Sequence, residues 1–132
     1  MKLLLLVAVL AAAPMHYEPE VSTLTGTVKN DKVFYGPPTF GQDKEHDERE
    51  TPFRLVLDAP VSIEPLKPDK FNEPVKDVKE ITLVPGKVKD LQRFLDLRVT
   101  AKGKLFAAHT AHHHTPALID LESLELVPRD AK

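Results

Sequence analysis

Four of the six histidines of this chain lie within six positions, at His109, His112, His113 and His114. A neutral imidazole is the commonest nitrogen ligand for zinc, copper or nickel. On a strand beginning at 112, alternate side chains share a side, so His112 and His114 project together while His113 points away. The candidate ligand set is therefore His109, His112 and His114, and the metal zinc or copper. A fourth donor would be water, or a carboxylate or His46 from the run Asp43-Lys44-Glu45-His46-Asp47-Glu48-Arg49-Glu50. The same histidines have two other uses. With Thr110 and Thr115 they can hydrogen-bond the backbone of a polar hairpin. Crowded together, they can oppose one another's protonation and charge together on acidification.

Covalent catalysis lacks a visible carrier. Cysteine is absent, and none of Ser22, Ser62 and Ser123 stands in a nucleophile-elbow sequence. The enzymatic reading that remains is a zinc hydrolase with Glu45 or Glu48 as general base toward a bound water. A mechanism needs a cleft as well as ligands, and the sequence shows none, so a non-enzymatic role is preferred.

The elements that must position the histidines are strands. Twelve prolines against five glycines cut the chain into short pieces, since proline cannot donate a ladder hydrogen bond. Leu24, Gly26 and Val28 alternate with Thr25, Thr27 and Lys29 as a first strand, bending near Asn30-Asp31 before Val33-Phe34. The Tyr35 to Thr51 stretch is charged and proline-containing, and reads as a solvated loop. Phe53, Leu55 and Leu57 form a second strand that resumes at Val61 and Ile63 beyond Pro60, and Val78 to Val84 a third. Val88, Leu91, Phe94 and Leu95 then fall on one stripe of a helix of about ten residues. Leu97 to Leu105 alternates without a break as a fourth strand, with Val99, Ala101 and Leu105 facing inward. The region His109 to Thr115 is a hairpin, and Ala117, Ile119 and Leu121 begin the fifth strand. The layout is mainly β: a five-stranded barrel with one short helix between strands 3 and 4, which looks like the oligonucleotide- and oligosaccharide-binding (OB) Greek-key barrel. In that layout the loop after strand 1 lies beside the loop after strand 4, which brings the acidic run to the histidines.

Length and composition set the setting. The 132 residues divide into a segment 1–13 and one domain at 14–132. Met1-Lys2 followed by the apolar run Leu3 to Ala13 reads as a secretory signal, cut after Ala11 or Ala12 rather than before Pro14. Eleven apolar residues are too few for a permanent membrane anchor. The expected location is periplasmic or secreted. Eighteen basic against twenty acidic side chains leave no cationic excess, and aromatic residues are only 6%, which argues against nucleic acid as partner. The expected partners are a small ligand or an envelope protein, in the latter case as an interaction, inhibitor or immunity-type protein.

The run Phe71 to Val84, the segment Gly103-Lys104-Leu105-Phe106-Ala107-Ala108-His109-Thr110-Ala111-His112-His113-His114-Thr115, and Phe34-Tyr35-Gly36-Pro37-Pro38 together resemble a small bacterial secreted family, domain of unknown function 4431. The segment His-Thr-x-His-His-His-Thr is its most specific piece, and Ala111 stands where glycine is common in that family. The resemblance implies a compact extracytoplasmic domain and carries no activity with it.

Overall fold

A computed structural model of the protein describes residues 14–128, so the expected signal segment at 1–13 lies outside the described residues. The chain runs through β1 (Met15–His16), β2 (Val21–Lys29), β3 (Phe34–Tyr35), β4 (Arg49–Glu50), β5 (Arg54–Glu64), β6 (Val75–Val84), β7 (Arg98–Ala107) and β8 (Ala117–Leu126). Five long strands close on themselves. β2 pairs antiparallel with β5 and β7, β5 with β6, and β7 with β8, while β6 and β8 pair in parallel to complete the ring. Closure leaves none of the five with an open edge. β1 adds an extra strand parallel to the far end of β5, and β3 and β4 form a separate two-stranded ribbon. Among the described residues no helix is long and apolar enough to cross a membrane.

The alternation expected for the strands is what fills the barrel. Val99, Ala101, Leu105, Ile119 and Leu121 are each at most 1% exposed, packed with Leu55, Ile63 and Ile81. Two close approaches require glycine. A Cβ on Gly103 would strike the Asp120 carbonyl, at the point where the β7–β8 register slips by one residue, and a Cβ on Gly26 would strike that of Val56. Such a slip is a bulge, which bends a strand around a small barrel.

Several expectations are corrected. The helix between the third and fourth long strands is absent; the segment holds one 3₁₀ turn, Gln92–Phe94. Val88, Leu91 and Phe94 recur every three residues, the period of a 3₁₀ turn, which shares its i, i+3 spacing with an α-helix. Backbone bonds tie the segment to the barrel at both ends: the Lys87 N–H donates to Leu121 and the Asp96 N–H to Val28. Leu91 and Phe94 still enter the core. The first strand does not continue through a bend; it ends at Lys29, and Phe34–Tyr35 belongs to the ribbon. The third long strand begins at Val75. Arg54 is buried at 3% exposure, its guanidinium 2.6 Å from both Asp31 and Glu80. Tyr17, beside β1, is another core residue; it lies only 1% exposed, its hydroxyl donating to the Glu73 carbonyl at 2.6 Å.

Candidate functional site: a histidine rim closed by one carboxylate

The excursion between β2 and β5 is more than a solvated connection. Asp47 is buried within it and accepts hydrogen bonds from the Thr39 N–H and hydroxyl and from the Gly41 N–H, each at 2.7 Å. Burial pushes the Asp47 carboxyl up, but those donors outweigh it and hold the group below the ordinary carboxylate range. The Gly36 N–H donates to Glu48 and the Glu48 N–H to Pro37. The loop thus folds on itself, and its ribbon sets Phe34 directly opposite Glu50.

The β7–β8 loop is fixed from beneath by Thr115. Its buried hydroxyl donates to the Ala117 carbonyl at 2.7 Å, accepts from the Thr82 N–H at 3.1 Å, and lies 2.7 Å from the Thr82 hydroxyl. The Ala108 N–H closes the loop onto the Pro116 carbonyl, and the His113 N–H onto Thr110. Residues 110–113 therefore form a turn, His114 follows it outside any strand, and β8 begins only at Ala117.

The two loops meet at Glu50. His112 Nδ1 stands 2.5 Å from Glu50 Oε1 and His114 Nε2 stands 2.7 Å from Glu50 Oε2. Since a carboxylate only accepts, both nitrogens carry the hydrogen. The ring of Phe34 stacks on that of His114, with centroids 4.4 Å apart and planes 9° from parallel. Burial raises the Glu50 carboxyl, yet the hydrogen bonds from His114 and His112 prevail and keep it below its ordinary value.

His109 and His113 form a second pair. The His109 N–H donates to His113 Nδ1 at 3.0 Å, and His109 Nδ1 donates to the Ala107 carbonyl at 3.0 Å. Their rings meet edge to face at 4.7 Å and both pack against Phe106. His113 is held below the ordinary imidazole value, first by burial and then by the neighbouring His109, His112 and His114.

Of the residues expected as ligands, His112 and His114 converge on one group. His109 is engaged with the loop backbone and His113, while His46 stays in its own loop, with Nδ1 2.8 Å from Asp43 Oδ2. Glu45 and Glu48 have no contact with the four histidines among the hydrogen bonds and ion pairs of the rim. Among the described residues no group of three or more histidine, aspartate or glutamate side chains is arranged, as it stands, to hold a metal ion. Sequence reading anticipated a carboxylate from the acidic run but did not single out Glu50, and it missed Phe34. The Phe34–Tyr35 and Arg49–Glu50 ribbon that places both has strands of two residues, which carry no alternation to detect.

The model of a family described as Domain of unknown function (DUF4431) matches residues 80–125, from the middle of β6 to near the end of β8, and so takes in the whole histidine loop. No curated protein and no solved structure matches the chain.

Proposed function

We propose that this protein is an exported, non-enzymatic binding module of OB-like layout whose rim takes a transition-metal ion, zinc or copper, through His112, His114 and Glu50. One observation carries the reading: two imidazole nitrogens from one loop converge on both oxygens of a single carboxylate from another. Nitrogen and carboxylate donors suit zinc, with water in a remaining position. To bind the ion each imidazole carries its hydrogen on the other ring nitrogen, so that His112 Nδ1 and His114 Nε2 offer lone pairs beside the Glu50 carboxylate, and side-chain rotation brings the three donors to the metal. The Phe34 ring fixes the plane of His114. Support for the OB-like layout comes from the five-stranded closure with its single parallel seam, and support for export from Lys2 followed by the apolar run Leu3 to Ala13.

Zinc titration of untagged protein by calorimetry is the test. One ion binds per chain in the micromolar range or tighter. His112→Ala, His114→Ala and Glu50→Gln each weaken it by more than about tenfold, whereas His46→Ala and His109→Ala bind as the parent does. Affinity falls on acidification, because imidazole coordinates in its neutral form. A parent that binds no zinc or copper, or variants that all bind equally, overturns the reading.

A further inference from the structure

On the flank of the barrel an open cleft of about 590 Å³ lies between the residues that follow β1, the β5–β6 connection and the β7–β8 pair. Three carboxylates line it, Glu18, Asp69 and Asp120, together with the rings of Phe71, Phe106 and His109, and among the described residues its lining includes no lysine or arginine. A second depression of about 550 Å³ shares Glu18, Asp69 and Phe71 with it and continues over Pro19, Pro65 and Leu66. Volumes of this size are those of ligand sites. Phe71 is 68% exposed and Leu66 58%, an unusual degree for large apolar side chains placed side by side along one groove.

The floor of the cleft is built. Asn72 is buried, accepting from the Ala107 N–H at 2.9 Å and donating to Asp69 Oδ2 at 3.0 Å. Asp69 is tied in turn by the Phe71 N–H at 2.8 Å. These contacts hold the Asp69 carboxylate and the backbone that carries Phe71 in fixed relation. The chain also supplies a cation of its own to that ring: the Lys70 ammonium lies 5.5 Å from the centre of Phe71.

We propose that this cleft binds an arginine side chain presented on an extended segment of a partner protein. Three carboxylates with no cation among the described residues of the lining, and Lys104 beside them, leave an excess of negative charge that calls for a positive guest. A guest flat enough to lie against Phe71 while donating to Glu18, Asp69 or Asp120 is a guanidinium rather than an ammonium, because its planar fork both stacks and hydrogen-bonds. Lys104 flanks the acidic side from β7 without lining the cleft, and Lys67 and Lys70 lie along the second depression. The neighbours of the arginine are therefore best apolar, resting on Pro19, Pro65 and Leu66. The site stands independently of whether the histidine rim takes a metal.

The test uses the full chain, labelled with ¹⁵N, and N-acetyl-arginine amide as probe. Amide resonances of Glu18, Glu20, residues 69–72 and residues 106–109 shift and saturate in the millimolar range. N-acetyl-norleucine amide, with a neutral stem, binds at least about tenfold more weakly. The double variant Glu18→Gln/Asp120→Asn weakens the arginine probe by about tenfold, and Phe71→Ala weakens it also, without loss of spectral dispersion, since that ring lies outside the core. Equal shifts from the norleucine probe, arginine binding that ignores the double variant, or no saturable shift at these residues overturns the proposal.

Discussion

His113 is kept neutral by the bond that its neighbour makes to it. The His109 N–H needs a lone pair on His113 Nδ1, and a proton on that atom would abolish the bond, in a place where burial and three other imidazoles already oppose the charge. The folded value is thus below the ordinary 6.5, and the unfolded chain takes up the proton first. Stability is full above the ordinary value and is lost as pH falls from there through the lowered folded value. Glu50 has the same sign in a lower window: its contribution is present above the ordinary 4.5 and is lost as pH falls through its lowered folded value. We predict that the thermal midpoint drops between about pH 7.5 and about pH 5.5, and that His113→Asn, whose Oδ1 can still accept from His109, drops less. An unchanged slope removes His113 from the account. Thr115 makes a separate, pH-independent case. Thr115→Val keeps the shape but leaves the buried Thr82 N–H without its acceptor, a loss of about 1–3 kcal/mol readable by urea unfolding. A loss well under 1 kcal/mol would mean that the hydroxyl does not hold the loop.

Strand register decides which of two adjacent residues carries weight. Leu105 faces Ile119 across the β7–β8 ladder inside the barrel, while Lys104, opposite Asp120, points outward. Leu105→Ala is expected to cost about 2–5 kcal/mol and Lys104→Ala less than about 0.5 kcal/mol; comparable losses would put the register in error. At the bulge, Gly103→Ala forces a methyl against the Asp120 carbonyl and should cost about 1–3 kcal/mol. All five long strands were legible because a strand with one dry side must alternate with period two. The Val88, Leu91 and Phe94 stripe was legible as an inward face but not as a 3₁₀ turn, since the two helix types share the i, i+3 spacing. Tyr17 stands alone among proline and charged residues, and a single buried ring carries no period to detect.

The whole barrel is held by pairings that are mostly remote in sequence. β2 finds β7 across some seventy residues, and with β7 paired between β2 and β8 the parallel β6–β8 seam closes the ring. The same closure places the β2–β5 excursion against the β7–β8 loop, so the meeting of an acidic loop with the histidines followed from the order of strands. The choice of Glu50 within that loop depended on the Phe34–Tyr35 and Arg49–Glu50 ribbon, whose two-residue strands are too short to announce themselves in sequence. The segment 80–125, which the family model matches, contains β7, most of β8 and only half of β6. Cut out alone, it would expose the β7 edge that β2 covers and the β6 edge that β5 covers. It would also strip the core of Leu24, Val28, Leu55 and Ile63. A three-stranded piece with two bare edges, and without Tyr17, Leu24, Val28, Leu55, Ile63 and Val78 in its core, lacks the apolar burial that offsets chain entropy. We therefore predict that residues 80–125 expressed alone give a collapsed, poorly dispersed ¹H–¹⁵N spectrum, whereas residues 14–128 give a dispersed one and unfold in a single cooperative urea transition. A dispersed, cooperatively unfolding 80–125 fragment would show instead that the histidine loop sits on an autonomous unit and that β2 and β5 are an addition to it.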